Sequence, residues 1–252
     1  VTDADSGRPD GTGAVDAAPV LRLACIDTDA PPLFDLAAAD GSRTGFEPAV
    51  AELLAQQLGR RLEWAIMPWG RMLPAVRDHE VDAVLCGQGV IPARLEVVDF
   101  ARPYGVFHEG LLTRRGEAVP GPEHLAGRRI AAIEGSANER LARTFPDAEV
   151  VTFATDNVYQ DMLAALRAGE VFGVVDDDVV FVPLGDSDPD FELAFVVKTN
   201  NPWAVGVAKD RPETFALIDA AMAAIIADGR HREVWQKWLP TLDYPFAEQV
   251  DR

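Results

Sequence analysis

Past residue 20 the chain alternates short aliphatic and β-branched runs with longer stretches whose apolar positions recur at helical spacing. That alternation predicts an α/β protein with mainly parallel sheets. The strand candidates are 21–26, 62–66, 81–86, 130–133, 149–153 and 171–175. Over 46–58, Val50, Leu53, Leu54 and Leu58 fall on one face and Gly59 follows, the pattern of a helix with a glycine stop. Val158, Met162, Ala165 and Leu166 repeat at i, i+4, i+7 and i+8 ahead of Gly169, which predicts another helix. The last long stretch, 212–239, carries Phe215, Ile218, Met222, Ile225 and Ile226 on one stripe, breaks at Gly229, and resumes with Val234, Trp235 and Trp238. These read as core positions.

The strand-helix-strand pass runs twice, from about 20 to 100 and from about 128 to 185, with the Gly/Pro-rich RRGEAVPGPEHLAG between. Two lobes are predicted. Sheets of this class bind ligands beyond the carboxyl ends of their strands, so two facing lobes would make a cleft. Residues 1–19 are rich in Gly, Pro, Asp and Ala and show no period, and are predicted to be a flexible leader: a tether to a lipid-anchored or cleaved N-terminus, or an extraneous tail.

Composition narrows the partners. The 252 residues are 48% apolar, enough for a large core. With 41 acidic against 23 basic residues the formal net charge is −18, a field that repels phosphate backbones, so nucleic acid is not an expected partner. No run reaches the ~18 to 20 apolar residues of a membrane helix. Cys25 and Cys86 sit late in apolar runs with no His or Cys at ligand spacing, so no metal is expected and both read as small buried side chains. A disulfide between them would need neighbouring strands, and adjacent parallel strands suit its geometry poorly. The histidines, His79, His108, His124 and His231, lie in polar or boundary sequence and in no nucleophile motif. There is no phosphate loop and no dinucleotide fingerprint, so no cofactor is expected.

Three places carry candidate chemistry. In CGQGVIPAR, Gly87 and Gly89 let backbone amides approach a ligand and Arg94 offers a planar fork for a carboxylate; the plain alternative is a turn with a solvated arginine. In IEGSANER, Ser136 followed by Glu139 is a capping box, which starts a helix and is also an anion seat. Asp176, Asp177 and Asp178 end the strand VFGVV; adjacent carboxylates point to a metal, to a ligand ammonium, or, most simply, to solvent exposure.

Taken in order, TGFEPAVAELLAQQLG, MLPAVRDHEVDAVLCGQGVIPARLEVVDFARPY, LAGRRIAAIEGS, LAALRAGEVFGVVDDD and NPWAVGVAKDRPE resemble the bacterial extracellular solute-binding proteins, family 3, that serve polar amino-acid transporters. The resemblance implies the α/β, two-lobed type 2 periplasmic-binding-protein fold, each lobe a mainly parallel sheet flanked by helices. It also implies a two-strand hinge, at 110–114 and about 203–208, and an extracytoplasmic location, periplasmic or extracellular and in some cases lipid-anchored. Lobe one would be discontinuous, 20–113 plus 204–245, and lobe two would be 114–203. Arg94 matches the arginine that clamps the ligand α-carboxylate, and Ser136, with Ala137 and Asn138, matches the helix N-terminus holding the same group. Asp177 matches the acid for the α-ammonium, Gly87 and Gly89 the backbone contacts, Trp69 an aromatic wall, and Asp27 a residue that reads the far end of the ligand. Three positions depart from the pattern: Ala30 replaces an aromatic lid, leaving that wall open or to Phe34; Phe172 stands where aspartate is frequent, and Cys86 where a small hydroxyl residue often sits.

The function so implied is capture of an amino acid or small carboxylate and delivery to an ABC transporter permease, by a monomer, without turnover. Two alternatives share the fold. A cyclohexadienyl-dehydratase-like lyase is suggested by NER and TDN, but the acid such enzymes use aligns with Val180, and valine cannot donate a proton. A ligand-sensing role toward a receptor would use the same site.

Overall fold

The computed structural model describes residues 18–246 apart from 156; all but the last two residues of the predicted leader lie outside them. Eight strands form one sheet: β1 (Val20–Cys25), β2 (Arg61–Ile66), β3 (Ala83–Val84), β4 (Val98–Arg114), β5 (Arg129–Ile133), β6 (Glu149–Phe153), β7 (Gly173–Asp177) and β8 (Phe191–Ala208). Their order is β2-β1-β3-β8-β4-β7-β5-β6. β1 runs parallel to β2 and β3, and β5 runs parallel to β6 and β7. β4 and β8 are antiparallel to every strand they pair with.

Those two strands join the halves. One end of the ribbon, Val98↔Ala208 to Phe100↔Gly206, borders β3, and the other, Glu109↔Val197 to Arg114↔Phe191, borders β7. The result is the two-lobed, mainly parallel α/β architecture predicted. The hinge strands are far longer than the expected 110–114 and 203–208, at 17 and 18 residues. Register shifts between Phe100 and Pro103 and between Pro103 and Gly105 accommodate Pro103 and Gly105 without ending the pairing.

The helices are α1 (Phe46–Gln57), α2 (Trp69–Arg77), α3 (Pro92–Leu95), α4 (Ala137–Ala142), α5 (Val158–Ala168), α6 (Asp178–Ser187), α7 (Pro212–Ala227) and α8 (Arg230–Trp238). The 212–239 stretch divides at Gly229, whose φ of 91° belongs to the left-handed region. The predicted strand 81–86 contracts to Ala83–Val84, because the chain then leaves the sheet to wall the cleft. α1 buries Val50, Ala51 and Leu54 completely. Phe46, at its start, meets Trp235 of α8 edge-on at 5.4 Å, and Trp235 stacks on Phe107 of β4 at 5.4 Å. Such pairs add about 1 kcal/mol each beyond their area burial.

His231 corrects the sequence reading. It is fully buried among Phe46, Trp235 and Tyr244, not at a boundary, and burial pushes its pKa down to about 4. The helical period of α8 turns it inward with Trp235, four residues on.

Gly45, just before α1, has φ 132°, and a Cβ there would lie 2.4 Å from the Leu33 carbonyl oxygen. This close approach holds the 30–34 loop, and with it Leu33 and Phe34, against the start of α1.

Candidate functional site

The carboxyl ends of β1, β3, β5 and β7 converge on one cavity of about 90 Å3 between the lobes. Its wall includes Phe34, Trp69, Cys86, Gly87, Gly89, Arg94, Ser136, Ala137, Asn138 and Asp177. Every predicted binding residue except Asp27 is therefore gathered there. Asp27 is exposed and its carboxylate accepts the Ala37 amide at 3.0 Å, a loop-stabilising bond that turns it away from the cavity.

Arg94 is 6% exposed. It lies in α3, where Pro92 at the first turn fixes the start of the helix. Its guanidinium donates to the Gly89 carbonyl at 3.0 Å and lies over the Trp69 ring at 5.4 Å. Among the described residues no carboxylate comes within ion-pair distance. Burial draws its pKa down to about 10, against the pull of Asp177. A buried guanidinium with four of its five donors unused is poised for an anion.

Gly87 has φ 55°, which favours glycine, and its amide donates to Glu47 Oε1 at 2.6 Å. Gly89 forms an isolated bridge with Trp203, and the Val90 amide donates to the Pro202 carbonyl at 2.8 Å. These bonds hang the 87–94 loop on β8. Glu47 also accepts the Tyr104 hydroxyl at 2.5 Å; it is fully buried, and burial raises its pKa to about 7.

Across the cavity, Ser136 caps α4: its Oγ accepts the Glu139 amide at 3.0 Å and donates to the Ile133 carbonyl at 2.6 Å. Glu139 reaches back to the Gly135 amide at 2.6 Å, one residue earlier than the usual box partner. The capping pattern thus forms at the cavity wall.

The acidic cluster corrects another expectation. Asp176, Asp177 and Asp178 are 7%, 8% and 7% exposed, so none is solvated. They are inward because β7 lies between β4 and β5 and runs two residues further than predicted. Asp178 accepts the His108 amide at 3.0 Å. Asp176 and Asp177 face the cavity, and Asn138 donates to both, at 2.9 and 3.5 Å. Burial and the neighbouring carboxylates, Glu109 included, raise both above the ordinary range. Asp177 Oδ1 is buried without a hydrogen-bond partner.

The rest of the lining is mostly apolar: Ile26, Ala30, Leu33, Ile133, Val158, Tyr159, Val180 and Trp203. Trp203 and Tyr159 escaped the sequence reading. The only signal for Trp203 was its place in NPWAVGV, beside two strand breakers; Tyr159 had none beyond facing away from the core stripe of its helix.

The chain resembles known proteins throughout. It is 22% identical over 206 residues to the ABC transporter glutamine-binding protein GlnH of Bacillus subtilis, covering 80% of this chain and 74% of that one. It is 25% identical over 215 residues to ABC transporter arginine-binding protein 1 of Escherichia coli, covering 83% and 87%. An ancestral arginine-binding protein bound to arginine superposes with a TM-score of 0.78 at 23% identity, over 87% of this chain and 98% of that one. The family model of the bacterial extracellular solute-binding proteins, family 3, matches residues 23–241, and the chain belongs to that family.

Proposed function

We propose that this protein captures a free amino acid with an apolar side chain between its lobes and hands it, unchanged, to an ABC transporter permease. One observation carries the reading. Among the described residues Arg94 is a buried cation without a carboxylate partner, and Asp177, in the same cavity, is a buried carboxylate with an orphan oxygen. A zwitterion supplies the missing partner to each, and only a ligand that touches both sides stabilises the closed state.

In this reading the ligand carboxylate takes the free Arg94 donors and the first amides of α4, beyond Ser136. The ammonium group sits on Asp177, with Asp176 and Asn138 behind it. The side chain meets Phe34, Trp69, Tyr159 and Trp203, with Ala30 leaving room where a larger residue would fill the wall. The remaining lining offers no acid for a guanidinium, which separates this cavity from an arginine site. Residues 20–113 with 204–245 act as one lobe and 114–203 as the other, and the protein works as a monomer outside the cytoplasm, tethered or free. Val180 lines the cavity where lyase chemistry would need a proton donor, which supports binding over turnover.

A thermal-shift screen against amino acids, small carboxylates, amines and prephenate tests this, because a ligand that binds only the folded state raises the melting temperature. A shift with leucine- or phenylalanine-like amino acids, larger than with arginine or glutamate and without product, supports the proposal. Silence across amino acids, or conversion of prephenate, overturns it.

A further inference from the structure

We propose that Cys25 and Cys86 are the two halves of a reversible disulfide that braces the wall of the ligand cavity. Cys25 closes β1, and Cys86 lies two residues past β3, its parallel neighbour. Side chains on flat neighbouring strands meet a disulfide's geometry poorly, but the chain leaves the sheet after Val84 and bends at Cys86. There Cys86 Sγ accepts the Ile26 amide at 3.4 Å and stands 3.3 Å from Cys25 Sγ. A disulfide bond is about 2.05 Å long, so small side-chain rotations close the gap.

The surroundings support exchange chemistry. Arg43 is 8% exposed, and its Nη1 donates to Cys25 Sγ at 2.9 Å. Its other bonds go to the backbone carbonyls of Ile26, Thr28 and Asp35. Among the described residues it has no ion-pair partner, so the nearest sulfur has a buried cation beside it. Cys86 lines the cavity but is fully buried, and burial, with Cys25 and Glu47 beside it, holds its thiol well above its ordinary pKa. Family members act outside the cytoplasm, where disulfides persist. The ligand contacts proposed above use neither sulfur.

The oxidant is a small disulfide. One protein sulfur attacks it, releasing one small thiol and leaving a mixed disulfide, and the second protein sulfur displaces the other small thiol. Two protein thiols thereby lose two electrons and two protons, and one small disulfide becomes two small thiols. The closed bond would tie β1 to the loop that carries Gly87, Gly89 and Arg94.

The test incubates the full chain in mixtures of oxidised and reduced glutathione, quenches with acid, denatures, alkylates and weighs it. The expected result is a form about 2 Da lighter that takes up no alkyl group, with a peptide linking Cys25 and Cys86, reversed by reductant. The Cys25→Ser and Cys86→Ser variants cannot give the lighter, unalkylated form: their single thiol takes up either one alkyl group or one glutathione, which adds about 305 Da. A parallel arm refolds the protein from denaturant in the same mixtures, which removes any limit on access to the buried sulfurs. The oxidised form should melt roughly 5 °C or more above the reduced form, because the cross-link restricts the unfolded chain. Two alkylatable thiols across all mixtures in both arms would overturn the proposal. So would a disulfide that leaves the melting temperature unchanged or lower. Both readouts are taken without amino acid, so they stand apart from the ligand assignment.

Discussion

The Thr28 hydroxyl donates to Gln160 Oε1 at 3.2 Å, and the same amide returns a bond from Nε2 to the Asp29 carbonyl at 3.1 Å. One partner lies in the loop after β1 and the other on α5, so this reciprocal pair fastens the two sides of the cleft beside the cavity mouth. Thr28 is 6% exposed, and the pair is therefore partly shielded from competing water. Gln160→Ala removes both bonds, each worth about 1 kcal/mol, and should weaken amino-acid binding by up to about 30-fold through faster release. Stopped-flow fluorescence of the cavity tryptophans separates this from a slower association.

Arg94→Ala should abolish binding of any carboxylate ligand, a loss of at least about 100-fold, since the carboxylate would be buried without its charge partner. Calorimetry reads it directly. Arg94→Lys keeps the charge but loses the fork, and should fall between the two. Unchanged affinity in Arg94→Ala would remove this residue from the site.

Binding should release protons. Asp176 and Asp177 sit above the ordinary carboxylate range because they are buried beside one another, and an arriving ammonium favours their ionised forms. Affinity should therefore rise with pH, beginning in the window near 6, the value to which Asp176 is raised. Calorimetry of the amino acid found in the screen, repeated in buffers of different ionisation enthalpy, would show the release. Asp177→Asn should lower both the affinity and the proton count.

Glu47 predicts a stability slope of a particular sign. Its folded pKa of about 7 lies above the ordinary value of 4.5, so its favourable contribution is complete below 4.5 and is lost as pH rises through 7. The loss is on the order of 3 kcal/mol. Glu47→Gln should lack that slope, so urea midpoints of the two proteins converge or cross between pH 4.5 and 7 and run parallel above. Parallel curves throughout would mean that Glu47 is ionised in the fold at all these pH values.

Gly45→Ala should destabilise the protein by about 2 kcal/mol or more, because the added methyl combines a left-handed φ with a clash against backbone. Gly59 is a useful control: its φ is 63° but nothing lies within 4 Å of a Cβ, so Gly59→Ala should cost less. Chemical denaturation of both variants ranks them.

The parts of the site legible in the sequence are those where a strand end is followed at once by distinctive chemistry. Gly87 and Ser136 follow a strand by three residues, Asp177 ends one, and Arg94 follows in the same run of distinctive residues, so placing the strand placed the side chain. Trp203 and Tyr159 reach the cavity from a long hinge strand and from a helix face, and only the tertiary arrangement brings them there. Asp27 failed for a local reason, the competing amide of Ala37. The aspartate run misled because exposure is the ordinary fate of three adjacent carboxylates, and only the β4 and β5 neighbours of β7 turn them inward.

The path of the chain sets an order of events during synthesis. β3 is made early, but its second neighbour is supplied by Val207 and Gly206, and Trp235, which stacks on Phe107, comes later still. The lobe that begins the chain therefore remains an open-edged sheet while the lobe containing β5, β6 and β7 is completed within it. The inserted half can mature first, and the emerging protein must keep β1–β3 from pairing elsewhere until its own C-terminal segment arrives.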